Sequence, residues 1–319
     1  MKKMLLASAA TISLMLAGPA FAGSGNDAYL TQSGTGHVNT QNQYGSDATS
    51  TVTQSGTSNQ AEHEQRASNN TGSTTQEGSG NQAYIQQLDT SSNNTATQAQ
   101  RGTDGFALIR QHNGGGGNTA TQTQHGGSVD NEAYIVQAGV GNGASQDQYG
   151  DRSTARITQS GDSNNSSQAQ SGSWHVAEAT LTGNNNTTSQ TQSGGDSNNS
   201  TVTVTGSGNT VTHLQSGGTV MKAASTVVSG SSNQQVITQS DGNNIETAQT
   251  ITGDRNRQYA VQSGNNGNRI SQAATGNDNL QSATQSGGGN TLLQTISGTN
   301  NVQVATQTGT GHSSTQTVH

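Results

Sequence analysis

The chain has no cysteine, and only one proline, Pro19, among 319 residues. Without cysteine, no disulfide can hold a fold together in an oxidising compartment. Without proline beyond position 19, every later residue can donate its backbone N–H to a hydrogen-bond ladder. Aromatic residues make up 3% of the sequence, charged residues 9% and hydrophobic residues 26%, against about 45–50% apolar residues in an ordinary soluble domain. So little apolar material cannot build an ordinary core. Either the chain stays disordered, or its interior is polar and the polar groups satisfy one another by repetition.

The first residues follow a different plan from the rest. Lys2 and Lys3 precede the apolar run MLLASAATISLMLAG, and AFA at 20–22 is a small-residue cleavage site. This predicts a secretory signal peptide over 1–22, cut between Ala22 and Gly23, and therefore an exported protein. Removing Lys2 and Lys3 from the 11 basic residues leaves 9 against 18 acidic ones, a mature net charge of −9. That balance offers no electrostatic footprint for nucleic acid or anionic lipid.

What the remaining chain has in abundance is one unit, Asn–x5–Gln–x–Gly. It runs from Asn26 to Gln32, Asn59 to Gln65, Asn81 to Gln87, Asn131 to Gln137, Asn142 to Gln148 and Asn164 to Gln170. It recurs as far as Asn279 to Gln285 and Asn301 to Gln307. Starts are mostly eleven residues apart, and twelve or thirteen before Asn94, Asn118, Asn131 and Lys222. Allowing substitutes in each slot gives about 26 segments, a register that disorder does not keep. Within NEAYIVQ the residues Asn131, Ala133, Ile135 and Gln137 share one face, while Glu132, Tyr134 and Val136 share the other. Alternation of this kind reads as a strand, and the Gly-rich connectors between segments suit tight turns.

Two strands and two turns make one coil, so the expected architecture is an all-β solenoid of about 13 coils of about 22 residues, forming one domain over 23–319. In such a stack each Asn lies about 4.8 Å above the next Asn, and each Gln above the next Gln. A carboxamide both donates and accepts, so a column of identical amides hydrogen-bonds along its length. An unpaired buried amide would cost about 1–3 kcal/mol per group. The repetition removes that cost, which is amyloid-like cross-β chemistry within one chain. Inward positions between the amides are expected to hold small or apolar residues.

Other chemistry is poorly supported. His37, His175 and His312 occupy Asn slots and lack tight metal-ligand spacing. No catalytic constellation or cofactor motif stands out, so no enzyme activity, cofactor or metal is expected. Tyr29, Tyr84 and Tyr134 face outward and suit packing between assemblies. Threonine pairs such as those in TATQTQ (119–124) and TVTVT (201–205) raise the alternative of a monomeric solenoid adhesin or ice-binding protein. Neighbouring coils carry Tyr, Glu, Arg or Ser at those positions, so a regular threonine array is not expected. Between Asn198 and Val228, the Gln slots hold Val204, Gln215 and Val228, and Lys222 stands in an Asn slot. This predicts interrupted amide columns, a loose turn before Lys222, and a Lys222 side chain leaning into solvent. Neither terminal segment shows a proline, a helix or a charged cap, so the stack ends are expected to accept further chains.

The pattern Gln–x–Gly–x–x–Asn–x–Ala–x–x–x–Gln, as in QEGSGNQAYIQQ (76–87) and QAGVGNGASQDQ (137–148), resembles the curlin repeat along the whole mature chain. Curlins are subunits of curli, the amyloid surface fibres of Gram-negative bacteria. The resemblance implies a secreted cell-surface fibre, or pilus, that polymerises with itself and works in adhesion and biofilm matrix. It further implies a nucleator or other curlin subunit as partner, passage through an outer-membrane curli export apparatus, and attachment to host or abiotic surfaces. This chain is longer than a typical curlin, and lacks the non-repeat secretion segment that opens the family's major subunit.

Overall fold

The computed structural model describes residues 4–9, 23–88, 92–112, 116–218, 222–264 and 266–319, the side chains of 4–9 and 222–225 excepted. The described residues form strands and turns and no helix, and the fold is a β-solenoid. Contacts divide the chain into two compact units, Met1–Ser163 and Asn164–His319.

In the first unit, successive strands alternate between two parallel sheets. Asp27–Thr35, Thr49–Thr57, Thr71–Ser79, Thr95–Gln100, Thr119–Gln124 and Gly143–Tyr149 form one. Val38–Gln43, Gln60–Gln65, Gln82–Gln87, Phe106–His112, Glu132–Ala138 and Thr154–Ser160 form the other, which makes six coils. Met4–Ala9 lies parallel to Asp27–Thr35, while the rest of the expected leader, with the cleavage residue Ala22, falls outside the described residues. The second unit repeats the plan in seven coils, from Asn165–Ser173 and Val176–Asn184 to Val302–Thr310 and Ser313–Val318.

Strand registers join equivalent positions of successive coils, such as Gln137 with Gln159 and Ala133 with Ala155. A period-two pattern makes this register decisive, because a slip by one residue would turn every inward side chain to solvent. Inward residues are buried and their neighbours are half-buried or exposed, as in Glu132–Ala138. Apolar packing fills what the amides leave. Ile85, Ile109, Ile135 and Ile157 stack in the first unit, and in the second Ile270 and Leu292 pack against Ala260, Ala283 and Ala305. Large residues on one sheet thus meet small ones on the other, as close packing requires.

The turns explain the glycine of the motif. Gly56 and Gly206 have φ of 100° and 123°, in the region that L side chains avoid. A Cβ at either would also run into a carbonyl oxygen one coil on, that of Gly78 or Gly230. A second left-handed residue often precedes the inward Asn, for example Asn69, Asn185, Asp278 and Asn300. Asn and Asp tolerate that conformation best after glycine, which accounts for the doublets Asn69-Asn70 and Asn185-Asn186.

Candidate functional site

The chemistry of this molecule is in its interior. Gln32 donates through Nε2 to the Oε1 of Gln54 at 2.6 Å, Gln54 to Gln76 at 2.8 Å, Gln76 to Gln100 at 2.9 Å, Gln100 to Gln124 at 3.0 Å and Gln124 to Gln148 at 3.2 Å. On the facing sheet Gln65, Gln87, Gln111, Gln137 and Gln159 continue the same relay, with Gln137 to Gln159 at 2.9 Å. In the second unit it runs Gln170, Gln192, Gln215, Gln239, Gln262, Gln285, Gln307, at 2.7–3.0 Å. The direction never reverses, so each glutamine accepts from the coil before and donates to the coil after. Many also tie the two sheets together: Gln54 Nε2 reaches the carbonyls of Val38 and Asn59 at 3.1 and 3.0 Å.

The asparagines are arranged differently from the expected amide-on-amide column. Asn59 Oδ1 accepts the backbone N–H of Asn81 at 3.0 Å, and Asn59 Nδ2 donates to the Gly78 carbonyl at 3.2 Å. Asn81, Asn118 and Asn142 clamp the following turn in the same way. Direct asparagine-to-asparagine bonds appear in the second unit, from Asn186 to Asn164 and from Asn209 to Asn186 at 3.1 and 3.0 Å. The asparagine is thus mainly a fastener between side chain and backbone, which satisfies donors and acceptors that a turn leaves open. Asn26, Asn131, Asn164 and Asn279 also reach the turn glycine carbonyl of the next coil. Asn301 donates instead to Ser297 O, within its own turn.

Histidine in the Asn slot reproduces the fastener. His37 Nδ1 receives the Asn59 N–H at 3.3 Å and its Nε2 lies 3.0 Å from Ser33 O. His175 receives the Asn198 N–H at 3.2 Å and faces Ser171 O at 3.2 Å. A backbone N–H can only donate, so Nδ1 carries a lone pair and Nε2 the proton.

Three sequence expectations are corrected. First, inward positions between the amides are not confined to small or apolar residues. Gln98 bonds to Gln122 at 3.0 Å and Gln122 to Gln146 at 2.9 Å, an additional ladder beside the main one. Gln235, Gln258, Gln281 and Gln303 form another, as do Gln249, Gln272, Gln294 and Gln316. The signal was in the sequence as Gln-x-Gln pairs at coil spacing, such as Gln98-Ala-Gln100 and Gln122-Thr-Gln124.

Second, Val204 and Val228 do not interrupt a glutamine column. They stand in an aliphatic one, Leu181, Val204, Val228, Ile251, Ala274, Ile296, each at most 1% exposed. Gln215 belongs to the facing column, which is unbroken. A register shift of one residue does occur in Lys222–Ser231, where Ser200 pairs with Ala223 and Val202 with Thr226. The Lys222 side chain and the turn at 219–221 lie outside the described residues.

Third, threonines are locally aligned on the first unit's outer surface, in a patch bounded by Asp27 and Tyr29 on one side and by Gly143, Ser145 and Asp147 on the other. Thr49, Thr71, Thr95 and Thr119 align across four strands, as do Thr51, Ser73, Thr97 and Thr121, and Thr53, Thr75, Ala99 and Thr123. None of these positions is charged. Tyr29 ends one of these rows, paired with Thr51, while on the opposite sheet Phe106 sits 5.6 Å from Tyr84 and 5.2 Å from Tyr134, and Arg156 covers the Tyr134 ring at 4.8 Å.

The family model described as the curlin associated repeat matches residues 129–161. This segment holds Asn131, Gln137, Asn142 and Gln148, and its last residue is the turn glycine Gly161. No curated protein matches the chain. The segment's ladder, clamp and glycine turn recur from coil to coil through both units, and the chain carries the curlin-associated repeat at 129–161.

Proposed function

We propose that the chain is the self-assembling subunit of an extracellular, curli-type amyloid fibre that serves cell adhesion and biofilm matrix. In this reading a Gram-negative bacterium secretes it after removing residues 1–22 and passes it through an outer-membrane export apparatus. A nucleator or second curlin subunit starts the fibre, and host or abiotic surfaces receive it. The observation that carries the reading is the uniform direction of the ladders. Each coil offers donors on one side and acceptors on the other, so another copy can continue the same columns. The buried Gln303 Nε2, at the downstream end of its ladder, has no partner, while Gln303 Oε1 accepts from Gln281.

The test is assembly of the purified chain without its leader. It should pass to fibres after a lag that preformed fibres shorten, with diffraction spacings near about 4.7 Å and about 10 Å. A folded monomer that stays soluble for days at micromolar concentration would refute the reading.

The threonine patch supports a second activity, adsorption to an ordered water lattice such as ice. Its rows are spaced about 4.8 Å across strands and about 6.6 Å along them. Each threonine carries a methyl and a hydroxyl. Inhibition of ice recrystallisation that is lost in Thr97→Lys and Thr121→Lys supports this activity, and ice growth indifferent to the wild-type protein removes it.

A further inference from the structure

Two histidines are buried in the core away from the Asn slots, one in each unit and in equivalent settings. His63 is fully buried, with Nδ1 2.8 Å from Ser50 Oγ and Nε2 2.7 Å from Thr74 Oγ1. His213 has Nδ1 2.9 Å from Ser200 Oγ and Nε2 2.7 Å from Thr226 Oγ1. Each ring bridges the two sheets through a pair of hydroxyls, and among the described residues no carboxylate is within the core to balance an imidazolium.

The surroundings bear this out strand by strand. Around His63 the inward side chains are Asn39, Gln41 and Gln43, Ser50, Val52 and Gln54, Thr74 and Gln76, and Ala83, Ile85 and Gln87, with Gly72 closing the wall. None is titratable. Glu62 and Glu64 on the same strand, and Glu77 on the facing one, are on the outer surface, where Glu64 pairs with Arg66 and Glu77 with Arg101. Around His213 the described inward residues are Thr188, Gln190 and Gln192, Ser200, Val202 and Val204, Thr226 and Val228, and Gln235, Ile237 and Gln239. None of these is titratable either.

His175 adds an independent geometric reason for neutrality. Its Nδ1 receives a backbone N–H, so a proton there would set donor against donor. Burial lowers its pKa, outweighing the opposing pulls of the Ser171 carbonyl and the Asp196 charge.

We propose that His63, His175 and His213 together make this solenoid an acid-sensitive fold, stable when its core imidazoles are neutral and opened when the chain is acidified into the pH range where free histidine takes a proton. The device acts on folding of the chain, so it stands whether or not the chain polymerises.

Burial lowers the pKa of both His63 and His213 from 6.5 to about 3. Between those values the unfolded chain binds protons that the folded chain does not, so stability rises with pH and falls on acidification. The contribution is complete above the unfolded value and declines as pH falls toward the folded one. At pH 5 each of the two shifts the folding equilibrium roughly thirtyfold toward the unfolded state, and together about a thousandfold relative to pH 8. The acid arm of the test stays at pH 5, above the ordinary carboxylate range.

The experiment compares the chain with a variant carrying His63→Gln, His175→Asn and His213→Gln. Gln41 and Gln190 occupy neighbouring levels of the two histidine columns, and Asn is the usual residue of the third site. Denaturant midpoints followed by far-ultraviolet circular dichroism at pH 8 and pH 5 give the folding equilibrium. The wild type should weaken by about a thousandfold or more and the variant by less than tenfold. Equal pH dependence in the two chains overturns the proposal. Nitrogen-15 spectra of histidine-labelled wild type supply a readout that does not depend on the variant folding. The core rings should keep neutral-imidazole shifts at pH 5 while the β-structure persists. Core rings that titrate at the ordinary histidine value in an intact fold also overturn it.

Discussion

Replacing Val228 by Gln separates two accounts of the core. If glutamine in its slot is always favourable, the change repairs the chain. The structure leads to the opposite expectation, because Val228 stands between Val204 and Ile251, in a column without amides. A glutamine there can donate to carbonyls across the core, as Gln54 does to Val38 and Asn59. Its Oε1 would face Val204, which has nothing to donate, at a cost of about 1–3 kcal/mol. Loss of the packed valine and forced accommodation of a longer chain add about 1–3 kcal/mol, for a total of about 2–6 kcal/mol. The double change Val204→Gln with Val228→Gln should then cost less than the sum of the singles by about 1–2 kcal/mol. The amide introduced at the upstream level can donate to the one introduced a coil later, as Gln192 does to Gln215. Denaturant midpoints of the two singles and the double read this coupling directly. A Val228→Gln chain at least as stable as wild type, or strictly additive singles, would refute like-with-like stacking as the rule of this core.

Other perturbations follow from the same geometry. Gln137→Ala removes the donor to Gln159 and the acceptor from Gln111, and should cost about 2–5 kcal/mol in the same assay. Glu132→Ser and Tyr134→Ser, on the outer face of the same strand, should each cost under about 1 kcal/mol, and the reverse order would contradict the inward-outward assignment. Asn142→Ala leaves the Gly161 carbonyl without its clamp, and should raise hydrogen exchange at that turn more than at the neighbouring strands. Gly206→Ala places a methyl against the Gly230 carbonyl in a positive-φ turn. It should cost more than the roughly 1 kcal/mol of an unstrained backbone change, as read by the shift in denaturant midpoint.

Much of the fold can be read from spacing alone. A Gln every coil, alternating with outward residues, dictates parallel strands in register, and Gln32 through Gln148 follow that plan. The Asn role was harder to foresee, because its partner is a backbone amide whose position depends on the turn. The aliphatic column from Leu181 to Ile296 was missed for another reason. Eleven-residue segments alternate between two sheets, so Val204 and Val228 are vertical neighbours while Gln215, between them in sequence, belongs to the facing wall. The threonine patch was missed likewise, since only alternate segments share a surface. The hydroxyl pairs that enclose His63 and His213 lie 11 to 13 residues away in sequence, and single-segment patterns do not reveal them.

A stack of interchangeable levels can mispair, because any coil fits against any other. This chain breaks that degeneracy where a column changes its chemistry. Thr74 gives way to Gln98, Val211 to Gln235, and Thr226 to Gln249. Gln235 Oε1 and Gln249 Oε1 are left unpaired at the last two boundaries. A chain that slipped by one whole coil would keep most of its ladder but move each boundary to a level where its neighbours do not match, adding about 1–3 kcal/mol for every amide newly orphaned. The changes of residue type therefore act as index marks along an otherwise uniform ruler, and the imperfections of the repeat tell each coil which level it occupies.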